Sequence, residues 1–91
     1  MQKYKQSIGE KKRINIILME AIKLIEAELK NANSKFPPFK SSHEGYAVIL
    51  EELDELWDEI KNDKKPGSQQ RQKDEAIQVA AMAIKFINDL C

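Results

Sequence analysis

Apolar residues recur every three or four positions in three stretches of the chain, the spacing that places them on one face of an α-helix. The first stretch, from Gln6 to Lys30, carries a face of Ile14, Ile17, Leu18, Ala21, Leu24, Ile25 and Leu29. The second, which ends before Asp63, carries a face of Tyr46, Ile49, Leu50, Leu53, Leu56, Trp57 and Ile60. Both patterns predict amphipathic helices, and we expect Tyr46 and Trp57 to lie in the core or at a subunit interface rather than to stack on a base.

The third stretch runs to Leu90 and is apolar over more than half of its circumference, counted at about 100° per residue. Its apolar residues are Ala76, Ile77, Val79, Ala80, Ala83, Ile84, Phe86, Ile87 and Leu90. Since a surface helix needs only one buried stripe, we expect this helix to pack on two sides. Its second side is a candidate contact with another subunit.

Two clusters of helix-breaking residues separate the predicted helices, at 31–42 and at 62–68. Ser41 and Glu44 fit a capping box at the start of the second helix, and Ser68 can cap the third. Phe36 and Phe39 flank a Pro-Pro pair. We expect these two rings either to pin the first loop onto the bundle or to shape a pocket beside it.

Length and composition limit the chain to one small domain, residues 1–91. Fifteen basic and fifteen acidic side chains give a formal net charge of +0, which argues against a general nucleic-acid or membrane-surface binder. The one cysteine, Cys91, excludes an internal disulfide framework and a multi-cysteine zinc site. No apolar run reaches the roughly 18 to 20 residues of a membrane span, and no signal-peptide pattern opens the chain. We expect a cytoplasmic, all-α protein, an antiparallel bundle of three main helices that assembles as a homodimer or homotetramer.

The second predicted helix is unusually acidic in its middle. Positions 51 to 59 carry six acidic residues and no basic one, although like charges three or four residues apart on a helix each cost about a few tenths of a kcal/mol. Counted around the helix, Glu52, Glu55 and Glu59 fall within about 60° of one another beside the apolar face. The remaining three acids, Glu51 among them, point toward solvent.

The third predicted helix has a matching polar flank. Glu75 and Gln78 lie one turn apart beside its apolar face, followed by Lys85 and Asp89. If the second and third helices are antiparallel neighbours, their oxygen-bearing side chains converge, and hard divalent cations such as Mg²⁺ take such ligands. The alternative is that the acidic run is an ordinary solvated helix face, since acidic side chains are mostly exposed.

The acidic positions of both helices resemble a family pattern. The all-α nucleoside triphosphate pyrophosphohydrolases of the MazG type carry EExxE, a spacer and ExxD. This chain has Glu51-Glu52-Leu53-Asp54-Glu55, a spacer of 19 residues, and Glu75-Ala76-Ile77-Gln78. The stretches 43–60 and 74–87 are similar to the small MazG-like proteins of phages and prophages.

The resemblance implies a catalytic Mg²⁺ site, with Mn²⁺ as an alternative ion. Glu52, Glu55 and Glu75 match three metal ligands of the family. The family has Asp as the fourth ligand, where this chain has Gln78. A Gln carbonyl can bind Mg²⁺ but contributes neither a negative charge nor a base.

Four further residues are weaker candidates. Glu51 matches the first Glu of the motif, and Glu59 lies one turn beyond the second metal-binding Glu, so both are candidates for a secondary metal or water contact. Lys85 and His43 are candidates for a substrate phosphate. The structural alternatives are that Lys85 pairs with Asp89 and that His43 is an ordinary residue of the first helical turn.

The chemistry that the resemblance implies is hydrolysis of an NTP or dNTP between the α and β phosphorus, which gives the monophosphate and pyrophosphate. Two alternatives stay open because Gln78 departs from the family pattern. One is a non-catalytic helical oligomerisation or interaction module on the same scaffold. The other is a metal- or nucleotide-binding sensor without turnover. We expect no nucleic-acid and no membrane partner.

Overall fold

The computed structural model describes residues 8–91, with side chains from residue 15 onward, and over this range α-helix is the only regular secondary structure. Three helices follow one another: α1 (Ile8–Lys35), α2 (Ser42–Lys61) and α3 (Ser68–Leu90). The prediction of an all-α chain with three main helices is confirmed. The predicted start at Gln6 and the side chain of Ile14 lie outside the described part.

The end of α1 was predicted too early. The helix continues five residues past Lys30, because Ala32 is buried in the core and holds the polar stretch around it in helical form. The Phe36 N–H donates to the Ala32 carbonyl at 2.9 Å and closes the last turn. Pro37 then excludes helical backbone at the residue before it.

The cap of α2 was predicted correctly in its main part. The Ser41 side chain accepts a hydrogen bond from the Glu44 N–H at 3.1 Å. The Glu44 carboxylate, however, accepts a hydrogen bond from the Lys40 N–H at 3.1 Å rather than from that of Ser41.

The predicted cap of α3 is wrong. Gly67 is the N-cap, in the left-handed conformation at φ 78° that favours glycine. Ser68 is the first helical residue, and its buried hydroxyl donates to the Glu59 carbonyl at 3.3 Å instead. Ser68 therefore ties the start of α3 to the end of α2.

Helix α3 lies between the other two and packs on both. It runs antiparallel to α2, since Gly45 near the start of α2 meets Phe86 near the end of α3. It runs parallel to α1, since Asn33 near the end of α1 accepts a hydrogen bond from Lys85. The two-sided packing predicted for α3 is thus met within one chain, and the described parts of α1 and α2 do not pack on each other.

The core is small and is centred on residues that the periodicity did not single out. Its buried apolar members are Ala32, Phe39, Ala81 and Met82. Ala81 and Met82 were not among the apolar residues predicted for α3. They are buried because α3 packs on α1 and on α2. Phe39 pins the loop as expected, whereas Phe36 is 62% exposed.

The apolar faces predicted for α1 and α2 are only partly buried. On α2, two residues of the predicted apolar face, Ile49 and Leu56, are partly buried toward α3. The other residues of that face are exposed on its other flank. We call this set the α2 outer row: Tyr46, Leu50, Leu53, Trp57 and Ile60. On α1, Ile17 and Leu18 of the predicted face are also exposed. None of the helices over the described residues is both long and apolar enough to cross a bilayer.

Candidate functional site

Three glutamates from two helices converge beside the α2–α3 contact. Glu52 and Glu55 lie one turn apart on α2, and Glu75 comes from the second turn of α3. One carboxylate oxygen of each lies within 4.8 Å of the others. The antiparallel register of the helices, fixed by Ser68 at one end and Gly45 at the other, brings these carboxyls together.

Burial and repulsion by neighbouring carboxyls both raise the pKa values of two members of the cluster, Glu52 and Glu75. The pKa of Glu52 is raised from 4.5 to about 7, first by burial and then by the charge and hydrogen bonding of Glu55. The pKa of Glu75 is also raised, again first by burial and then by Glu55. No ion pair among the described side chains reaches these three residues, so their charges would be neutralised by protons or by a bound cation.

One oxygen in the cluster lacks any partner. Oε2 of Glu75 is buried and makes no hydrogen bond among the described residues, which is costly for a charged oxygen. A divalent cation would supply the missing contact, and Mg²⁺ and Mn²⁺ prefer carboxylate and carbonyl oxygens. The donor set therefore fits a hard divalent cation.

A cleft of about 820 Å³ opens next to the cluster, between α1 and α2 and above α3. Glu28 of α1, Glu52 of α2 and Gln78 of α3 line one end of it. Gln78 is half-buried and lies one turn after Glu75. The position that carries Asp in the MazG pattern thus faces the same space as Glu52.

The two secondary acidic candidates have different surroundings. Glu51 lines the cleft beside Glu52, so its predicted orientation, toward solvent and away from the site, is only half right. Its charge helps to raise the pKa of Glu52. Glu59 is held by Arg71, whose Nε donates to both carboxylate oxygens at 2.9 and 3.2 Å. Glu59 is not among the three residues of the cluster.

Lys85 has the structural role that was considered for it. Its buried ammonium donates to Asn33 Oδ1 and pairs with Asp89 Oδ2, both at 2.9 Å. Asp89 also accepts the Phe39 N–H at 2.9 Å, and this bond, with Lys85, lowers the pKa of Asp89. The group fixes the first loop against α3, and Lys85 forms part of the cleft wall. His43 is exposed and does not line the cleft.

The far end of the cleft contains two lysines that the sequence pattern did not reveal, beside Phe36, for which a place at a pocket was one of the two expectations. Lys35, Phe36 and Lys40 line it where α1 ends and the loop begins. At the near end, Glu28 was also missed. Its signal was available, since Glu28 is an acid adjoining the apolar positions 25, 29 and 32 of α1.

Comparisons with known proteins add no relative. No family model, no curated protein and no solved structure matches this chain. The site must therefore be judged on its own geometry.

Proposed function

We propose that the chain is a Mg²⁺-dependent nucleoside triphosphate pyrophosphohydrolase of the MazG-like type, which converts an NTP or dNTP and water to the monophosphate and pyrophosphate. The observation that carries the proposal is the convergence of Glu52, Glu55 and Glu75 from two helices. No basic side chain among the described residues pairs with them, and the pKa values of Glu52 and Glu75 are raised. Folding places these like charges together against their own repulsion, which is typical of a site for a cation.

The ligands of the cation would be these three carboxylates, with the Gln78 carbonyl as a fourth. When bound, Mg²⁺ or Mn²⁺ neutralises phosphate oxygens and lowers the pKa of water. The chain's own contribution is to hold these oxygens on two helices, so that no loop has to be ordered when the substrate arrives. Glu51, on the cleft wall, adds negative charge that further favours a cation.

The cleft supplies room for the rest of a nucleotide. Its near end adjoins the cluster, where the triphosphate would lie, and its far end carries Phe36, Lys35 and Lys40. Lysine side chains interact favourably with phosphate oxygens that project past the metal. The exposed Phe36 ring offers a face for a base.

Gln78 favours one alternative. A site with three carboxylates and an amide has one negative charge fewer than the family pattern, and Gln78 cannot act as a base. A protein that binds a metal ion or nucleotide without turnover would need the oxygen ligands of this site but would not need a base. The test below separates this sensor from an enzyme.

The test measures pyrophosphate release from a panel of NTPs and dNTPs with Mg²⁺, with Mn²⁺ and with EDTA. We expect metal-dependent release that is lost in Glu55→Gln. Asp54→Asn is the matched control, because Asp54 is an exposed acid on the same helix outside the cluster. It should leave the rate unchanged.

The thermal melting temperature, recorded in parallel, distinguishes the remaining outcomes. A Mg²⁺-dependent rise that disappears in Glu55→Gln, without pyrophosphate release, identifies a sensor. If the protein shows no pyrophosphate release and no Mg²⁺ effect on its melting temperature, the metal site is refuted. The non-catalytic helical module then remains as the function.

A further inference from the structure

Helix α1 contributes a single acidic side chain, Glu28, to the described wall of the cleft. Four residues of α1 line the cleft, namely Glu28, Asn31, Ala32 and Lys35, and their spacing of three and four places them on one face of the helix. Ala32 is 5% exposed and belongs to the core, so it fixes the direction of this face. Glu28 lies one turn before Ala32 and is half-buried. Its carboxyl is therefore held at the cleft wall.

Glu28 lies between two cavities. It lines the cleft of about 820 Å³ and also a smaller cavity of about 330 Å³ between α1 and α3. Gln78 is the other described residue that lines both cavities. The smaller cavity has room for several water molecules. Glu28 thus has space for water on one side and the candidate nucleotide site on the other.

The Glu28 carboxylate is available to act on a molecule in the cleft. It pairs with no basic side chain among the described residues. It is also not a member of the carboxylate cluster, so it does not take part in the set that would hold the cation. Asp74, the other acid of the smaller cavity, accepts a hydrogen bond from Gln70 at 2.9 Å.

Hydrolysis of a phosphoanhydride needs a proton acceptor, because the attacking water loses a proton as its oxygen bonds to phosphorus. The glutamates of the cluster are weak bases while they hold a cation, since a nearby positive charge stabilises the ionised form of a carboxyl. Gln78 has no basic atom. Neither set of residues fills this role, and Glu28 stands in the same part of the cleft as both.

Given the proposed function, on which this step rests, we infer that Glu28 is the general base of the pyrophosphohydrolase reaction. Its carboxylate accepts a proton from water as the water oxygen forms a bond to the α phosphorus. The bond from that phosphorus to the bridging oxygen breaks, and its electron pair leaves with pyrophosphate. The proton then passes from Glu28 to water in the smaller cavity. Helix α1 in this way supplies the base that Gln78 cannot provide.

Steady-state kinetics of the full chain, with a nucleotide that it hydrolyses, test the assignment. We expect Glu28→Gln to lower kcat by about 100-fold or more, the usual effect of removing a general base, while KM stays within about twofold. The Mg²⁺ affinity, measured by calorimetry, should also be unchanged. Glu26→Gln is the matched control, because Glu26 is an exposed acid of α1 that lines neither cavity. It should retain the wild-type kcat.

A small carboxylate separates a base from a residue that only supports the structure. Glu28→Ala leaves space at the cleft wall, and added formate should restore part of its kcat in proportion to the formate concentration. Formate should not restore Glu55→Gln, because that variant lacks a ligand of the cation rather than a base. Circular dichroism confirms that each variant remains helical.

The results distinguish a failure of this assignment from a failure of the proposed function. If the wild type releases pyrophosphate and Glu28→Gln releases it equally fast, Glu28 is not the base and the proposed function stands. The same holds if the Mg²⁺ affinity of Glu28→Gln falls by the same factor as kcat, which makes Glu28 a ligand of the ion, or if formate does not restore Glu28→Ala. A wild type that releases no pyrophosphate with any metal overturns both.

Discussion

Glu55 and Glu59 stand one turn apart on the same flank of α2, and their electrostatic surroundings differ in sign. Glu59 meets the Arg71 guanidinium of α3 at 2.9 Å, whereas Glu55 meets the carboxyls of Glu52 and Glu75. Arg71 precedes Glu75 by one turn of α3. A single turn therefore separates a carboxylate paired with arginine from three carboxyls that form no ion pair with any described side chain.

The first prediction concerns the residue that departs from the family pattern. We expect Gln78→Asp to tighten Mg²⁺ binding by about tenfold or more, because a fourth carboxylate adds a negative charge near the cation. Titration calorimetry measures the affinity. Gln69→Asp is the control, since it adds the same charge to an exposed position near the start of α3. Unchanged or weaker binding in Gln78→Asp would show that the Gln78 carbonyl is not a ligand.

At the scale of the helices, the sequence predicted which segments are helical far better than which faces are buried. Apolar periodicity and the Pro and Gly clusters were sufficient for three helices, and the Ser41 cap follows from local chemistry alone. The buried faces depend on how many neighbours a helix has. Because α3 packs on two helices, its buried apolar residues are Ala81 and Met82. Because α2 packs only on α3 among the described helices, its Trp57 stays exposed.

The contact between α2 and α3 gives the second prediction. A Cβ atom at Gly45 would lie 2.5 Å from Phe86 Cδ2 and 3.3 Å from Leu90 Cδ1. We therefore expect Gly45→Ala to lower the free energy of unfolding by about 1 to 3 kcal/mol through overpacking, despite the higher helix propensity of alanine. Urea unfolding followed by circular dichroism measures the change.

A second substitution tests the cause of that loss. Phe86→Leu shortens the side chain that Gly45 contacts, so the double variant should lose less stability than the two single variants together. Purely additive losses would show that the Phe86 ring is not the obstacle. A stabilised Gly45→Ala would show that glycine here has no packing role.

At the scale of the whole molecule, the candidate site could be predicted in part only. The spacing of Glu52, Glu55 and Glu75 was sufficient to bring them together once antiparallel packing was assumed. A pocket beside Phe36 and Phe39 was one expectation, but the extension of the cleft to the acidic cluster was not predictable, because the cleft lies where α1 and α2 do not meet above α3. Helical periodicity describes the packing of each helix and contains no information about a gap between two of them. Glu28, Lys35 and Lys40 were missed for this reason.

The site also makes the stability of the whole molecule depend on pH. The folded protein binds protons at Glu52 and Glu75 more tightly than the unfolded chain, because their pKa values are raised, that of Glu52 from 4.5 to about 7. Stability in EDTA should therefore fall as the pH rises from about 4.5 to about 7, where the unfolded carboxyls are already ionised and the folded ones must become so. The pKa of Asp89 is lowered from 3.8, so its titration falls below this range.

Melting temperatures recorded across that pH range, with EDTA and with Mg²⁺, measure the effect. Glu52→Gln removes the group with the pKa of about 7 and should flatten the decline, whereas Asp54→Asn should retain it. Because a cation competes with protons for the same oxygens, the rise in melting temperature caused by Mg²⁺ should be largest above about pH 7 and small near pH 5. A Mg²⁺ effect that is equal at both ends of the range would mean that the ion binds elsewhere, since no proton then competes with it.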